Sequence, residues 1–427
     1  MIRFLFIVLF TVASGKVKAQ FFPVESIKSS FVLQPQRDNL KKNLYNYTIQ
    51  QSFALPLNKE TEYRYQSAFW AISQFLVFND LVRSGFNKTI AAYHDSLEVE
   101  TRRSFLEAMY AVAPVSYLGG MKRIMIGEKH PKLQAMIMIW VMRADPASIP
   151  LIKQMVQEQY LTDSTNKIVS ALKLYVDNYG KPEMVPSIHE LFAHQQIHGQ
   201  KIVYSFQNRN RDYPGIAVIQ NSEGRFERDD KGKLMTFGQL ARSGSGLPYF
   251  ITNGNTPQGI YSITGTGTSG NNFIGPTPNL QMLMPFEYYW ADFFHSDADT
   301  TDPLVAYDAL LPVSWKNFRA VHESFRAGAI GRTEIIAHGT TIDPEYFKDK
   351  PYYPYSPTLG CLCSAEIWDS STGTIRESEQ LKLVNGFMRS PGTTGYLIVI
   401  DYFSQKRAMT ASDIEPFITS FEQKYKR

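Results

Sequence analysis

Tyr355-Ser356-Pro357-Thr358-Leu359-Gly360-Cys361-Leu362-Cys363 holds both cysteines of a 427-residue chain, and it decides how the rest is read. The two thiols stand two positions apart. On extended backbone they are read as pointing to opposite faces. That excludes an internal disulfide, leaves two free thiols, and turns Cys363 away from any site built on Cys361. Upstream stands Thr333-Glu334-Ile335-Ile336-Ala337-His338-Gly339, read as a buried strand with the histidine at its end. A free thiol with a histidine is the nucleophile–base combination of cysteine catalysis, because imidazole accepts the proton that thiolate formation releases. The same two residues also suit an inert buried thiol and a hydrogen-bonded core histidine. Gly360 lets the backbone approach a substrate closely. The amides around Gly360 and Cys361 are candidate oxyanion donors.

Outward from this stretch the chain has two grammars. From about residue 60 to 195 the pattern is helical. Residues 67–78 are strongly apolar without internal Gly or Pro, and residues 133–143 and 149–157 follow in kind. Asp145-Pro146 is a helix-start signal. Trp140…Ile149-Pro150-Leu151-Ile152 is echoed by Tyr175…Val185-Pro186-Ser187-Ile188. That spacing suits stacked helix pairs of the HEAT or tetratricopeptide kind, with an irregular bundle as the alternative. After about His198 short strands and turns take over: residues 201–206, 216–220, 259–263, 282–289 and 396–402. Residues 377–389 read as an amphipathic helix, and residues 411–426 as a terminal helix capped by Ser412. The expected fold is an all-α helical domain followed by a mainly β domain.

The N-terminus reads as a secretory leader. Arg3 precedes a short apolar core over residues 4–13, and Val17-Lys18-Ala19 supplies small residues before Gln20. The mature protein is then expected to be exported to the periplasm or cell envelope, with no integral membrane segment. The chain has 44 basic residues; without Arg3, Lys16 and Lys18, 41 remain against 40 acidic ones. So even a balance offers no electrostatic case for nucleic acid. Two cysteines are too few for a disulfide-built secreted fold. His295 with Asp292, Asp297 and Asp299 lacks tight ligand spacing, so no metal site is expected there. The glycine- and serine-rich residues 243–246 and 265–270 lack the Lys-Ser/Thr ending of a phosphate loop and read as β-loops.

Three separated segments resemble the L,D-transpeptidase catalytic domain, the YkuD-like family that remodels bacterial peptidoglycan. Asn255-Thr256-Pro257-Gln258-Gly259-Ile260-Tyr261-Ser262-Ile263 is similar to its Thr-Pro-x-Gly-x-Tyr/Phe-x-Ile strand. Ile335-Ile336-Ala337-His338-Gly339 is similar to its histidine strand. Thr358-Leu359-Gly360-Cys361-Leu362 is similar to its Ser/Thr-His-Gly-Cys nucleophile motif. Leu359 stands where that family has histidine, and Cys363 where it often has arginine or asparagine. The resemblance covers about residues 200–405. It says nothing of the helical half; with the readings above, the chain divides into a leader over 1–19, a helical domain over 20–197, a catalytic domain over 198–405 and a C-terminal helix over 406–427. The resemblance implies Cys361 as nucleophile, His338 as base and then acid, and the Gly339 carbonyl as its orienter. Gly360 would stand beside the oxyanion, with Thr358, Tyr353 and Tyr355 as substrate-binding residues and no cofactor. The implied donor is a peptidoglycan tetrapeptide stem, whose acyl group passes to an amine to form a 3–3 cross-link. Water as acceptor would give an L,D-carboxypeptidase, and a protein amine would give protein attachment. A non-catalytic peptidoglycan-binding scaffold is the alternative. The helical half suits a cell-wall protein partner, and residues 295–329 read as an insertion forming a lid or partner surface.

Overall fold

The computed structural model describes residues 21–297 and 299–425. The leader expected over residues 1–19 lies outside them.

Residues 202–206 and 396–400 are apolar runs without polar alternation, the mark of strands covered on both faces. They become β1 (Ile202–Asn208) and most of β10 (Gly395–Phe403), which pair in parallel at the centre of a mixed sheet. The other strands of that sheet are β2 (Gly215–Gln220), β3 (Phe237–Gln239), β4 (Gly259–Gly267), β5 (Asn279–Leu283), β6 (Ala337–His338) and β7 (Leu362–Cys363). Their order is β3-β2-β1-β10-β4-β5-β6-β7. The two edges then meet: Leu240, just past β3, bridges to Cys363, and Ser243 bridges to Thr358. The result is a nearly closed, barrel-like sheet, with the candidate cysteine at the seam of its closure. A separate hairpin joins β8 (Glu366–Trp368) to β9 (Ile375–Ser378).

Period-two alternation assigns the two faces of the sheet. Val203, Ala217, Ile219, Tyr261, Leu397 and Val399 face one core. Ile202, Tyr204, Phe206, Val218, Ile260 and Ile398 face a second one on the other side. The second core is covered by the helices Ile188–His198 and Ala411–Lys424 and by the segment 290–325.

The N-terminal half is helical as expected, from Gln34 to His198. One continuous core runs from Tyr65, Phe69 and Phe105 through Trp140 and Leu172 into Phe250, Tyr261 and Leu362. Aromatic contacts cross the junction: Tyr175 meets Phe250 at 5.8 Å, and Phe75 meets Tyr346 at 4.8 Å. Residues 22–33 also belong with the C-terminal half. Lys28 bridges to Thr374, and Phe22 exchanges two hydrogen bonds with Asn385.

Several sequence expectations are corrected here. The repeat does not propagate. Ile149–Thr162 packs on Lys167–Asp177, but Ile188–His198 leaves the stack to cover the sheet beside Ala411–Lys424. Residues 282–289 are strand only to Leu283; Phe286 then takes φ 68°, which no strand permits. Residues 333–336 are not strand, and only Ala337–His338 pair. The 377–389 helix begins at Glu379, because Ser378 ends β9 and caps the helix by accepting from Leu381 N. Thr410 with Asp413, rather than Ser412, caps the terminal helix through a capping box. The 295–329 insertion is a packing layer and not a lid. Tyr307 and Trp315 within it are fully buried, each such side chain contributing about 1.5–3 kcal/mol by the area it removes from water.

Among the described residues, no helix is long and apolar enough to cross a membrane.

Candidate functional site

β6 and β7 run parallel, with Ala337 opposite Leu362 and His338 opposite Cys363. Residues paired in this way share a face. His338 therefore stands beside Cys363, and a two-residue step along a strand returns to the same face. The opposite-face expectation for the two cysteines fails on that geometry, and Cys363 is not turned away from the histidine. Both thiols are free, Cys361 half-buried and Cys363 fully buried.

His338 is held tightly. Its ring is 5% exposed, and Nδ1–H donates to the Gly339 carbonyl at 2.5 Å. This is the orienting role expected of Gly339, and it leaves Nε2 as the lone-pair nitrogen. Burial pushes the imidazole down to about 4, with the Gly339 carbonyl opposing, so the ring is neutral. The turn after it is fixed by Glu366. That carboxylate lies where a Cβ on Gly339 would stand, and it accepts from Thr340 N at 2.9 Å and Ser378 Oγ at 2.7 Å. Burial raises Glu366 to about 7.

Cys361 sits on the turn that leads into β7. Gly360 has φ 130°, open to glycine alone, and an added Cβ would collide with the Arg332 guanidinium. Thr358 pins the turn: its Oγ1 accepts from Gly360 N at 3.0 Å and donates to Cys361 O at 2.9 Å. Thr256 of the strand leading to β4 donates to Gly360 O at 2.8 Å. The Gly360 amide is therefore spent and is not an oxyanion donor. The Cys361 amide makes no hydrogen bond among the described residues and is the donor left for that role.

The Cys361 thiol donates to Glu334 O at 3.4 Å. No hydrogen bond joins it to His338. Burial pushes the thiol up to about 11, against the pull of an Ile336 amide and the Arg332 charge, while Glu334 and Glu287 add to the rise. Thiol and imidazole are both neutral at rest.

Arg332 was not singled out from sequence. It donates to the carbonyls of Tyr249, Asn255 and Gly254, so one guanidinium ties the 249–255 loop beneath Gly360. No carboxylate pairs with it among the described residues, and its charge acts on Cys361 to lower the cost of the thiolate. Glu366 was missed as well. The signal for both lay in short range: a charge just upstream of the histidine strand and another three positions after Cys363.

The tyrosines are redistributed. Tyr353 is exposed and donates to Glu345 at 3.1 Å. Tyr355 packs its hydroxyl over Gly238 of β3. Neither is placed against Cys361. Thr358 is a structural pin rather than a free binding group. Leu359, two residues before Cys361, is 43% exposed. His295 is occupied elsewhere, its Nε2 within 2.9 Å of Ser262 Oγ and 3.0 Å of Gly395 O.

No family model, curated protein or solved structure matches this chain.

Proposed function

We propose that this chain is a cysteine acyltransferase of the L,D-transpeptidase kind, acting on peptidoglycan stem peptides at the cell envelope. The observation that supports it most is a half-buried thiol on a φ-positive glycine turn that leads into the strand paired in parallel with that of a neutral histidine. That histidine has its Nδ1 fixed by the following carbonyl.

The cycle begins with the thiol leaving Glu334 O. His338 Nε2 takes its proton, and Sγ adds to the carbonyl carbon of the third stem residue. The Cys361 amide donates to the oxygen that gains charge. The C–N bond to the terminal D-Ala breaks, and His338 returns the proton to the departing amine. A second stem's side-chain amine then attacks the thioester, releasing the thiol and forming the cross-link. Water as the attacking group would release a tripeptide. Arg332 lowers the cost of the thiolate, and burial raises it.

The test is incubation with purified tetrapeptide muropeptides. The expected product is a 3–3 linked dimer with release of D-Ala, lost in Cys361→Ala. Tripeptide alone would assign hydrolysis, and no product from folded protein would remove the proposal.

A non-catalytic peptidoglycan-binding scaffold is the second reading. It is favoured by the raised thiol and by its hydrogen bond away from His338. Cys361 that alkylates no faster than free cysteine near neutral pH, with no muropeptide product, would establish it.

A further inference from the structure

A cleft of about 750 Å³ lies where the helical half meets the barrel, away from the thiol but braced against the same turn. Its wall residue Arg242 accepts Thr358 N through its carbonyl. Another wall residue, Asn255, accepts Arg332. The charge along it is uneven. Arg211 is committed to Asp401 at 2.7 Å and Arg242 to Asp212 at 2.6 Å. Arg143, Arg209 and Lys350 line the cleft, are solvent-exposed, and pair with no carboxylate among the described residues. Asp349 is the lone unpaired acid of the lining, so two positive charges are left over.

Arg143 comes from the helical half and is held open. It donates to Tyr110 Oη at 2.6 Å, to Tyr175 Oη at 2.8 Å and to Gly246 O at 3.0 Å. Among the cations the wall also carries Tyr110, Pro114 and Pro351, but most of it is polar.

We propose that this cleft binds an acidic peptide. Guanidinium groups match carboxylates in a planar, two-pronged fashion. Several uncommitted cations spread along one cleft suit a chain of carboxylates better than a single compact anion. The cleft draws on both halves of the protein, so the occupant would clamp the junction. The inference does not rest on the acyl-transfer reading.

The test uses full-length Cys361→Ala protein, so that chemistry plays no part, and a fluorescent oligoglutamate peptide at low salt. The expected result is saturable binding that weakens as salt rises and falls about tenfold or more in Arg209→Glu with Lys350→Glu. A neutral pair, Arg209→Gln with Lys350→Gln, serves if the reversed pair fails to fold, and is expected to lose several-fold. Peptide affinity unchanged in the folded variants, or no peptide binding to the parent, overturns the proposal. Inorganic phosphate is the second arm. Binding of phosphate alone, without the peptide, would also overturn it. Absence of muropeptide chemistry in the folded wild-type protein, with peptide binding retained, would sink the acyl-transfer reading and leave this one standing.

Discussion

At the scale of single residues, the environment of Cys361 sets its reactivity. Burial pushes the thiol up to about 11, so the thiolate is a minor species near neutral pH. The rate of iodoacetamide modification is expected to climb tenfold per pH unit from neutral toward that value. A plateau below pH 7 would instead reveal a thiolate–imidazolium pair. Cys363 is fully buried and pushed up further, and it is expected to react only in denaturant. Peptide mapping after brief alkylation separates the two. Gly360→Ala faces both a left-handed backbone and the Arg332 guanidinium. A loss on the order of 2 kcal/mol or more is expected, read from chemical denaturation. Wild-type stability in that variant would mean the turn relaxes freely.

Glu366 gives the pH dependence its sign. Its folded value of about 7 lies above that of an ordinary glutamate, so folding favours the protonated form. The stability it contributes is complete below about pH 4.3 and is lost as pH rises through 7, roughly 4 kcal/mol in all. His338 works the other way. Its folded value of about 4 lies below that of a free histidine, so its contribution is lost as pH falls from about 6.5 to 4. Glu366→Gln removes the first effect alone. Its melting temperature is therefore expected to gain on the parent's between pH 5 and 7.5. Parallel curves would place Glu366 ionised in the folded state.

At the scale of elements, what could be read depended on length. β1, β10 and the helices of residues 34–198 were legible because each carries enough apolar residues to declare a period. β6 and β7 were not. They are two residues long, and they exist because β5 and Leu240 supply partners from far along the chain. The Cys361 and His338 candidates came from residue chemistry and motif order. The opposite-face expectation for Cys363 ran against period-two alternation, whereas the spent Gly360 amide and the role of Arg332 needed contacts that no spacing encodes. Ser378 shows how one residue serves two elements. It caps the helix Glu379–Phe387 and donates to Glu366 at 2.7 Å. Ser378→Ala is expected to cost about 1–2 kcal/mol, more than a cap alone in a peptide. A thermal melt within error of the parent would deny the link.

At the scale of the molecule, the boundary near residue 198 separates a helical region from a mixed sheet but not their core. The core passes through it, and residues 22–33 dock on the C-terminal half. The protein is expected to melt in one transition. A chain trimmed to residues 198–427 is expected to lose cooperative folding, because Phe250, Phe273 and Tyr346 would lose their helical partners. Two separate transitions, or a folded trimmed chain, would restore the two-domain picture. The seam cleft follows from the same continuity, since neither half alone forms it.

The central claim is that Cys361 is an acyl-accepting nucleophile, and intact-mass spectrometry after exposure to a carbapenem tests it most directly. The account predicts one covalent adduct, mapped to Cys361 and absent in Cys361→Ala. An unmodified protein, or an adduct that persists in the alanine variant, would contradict it.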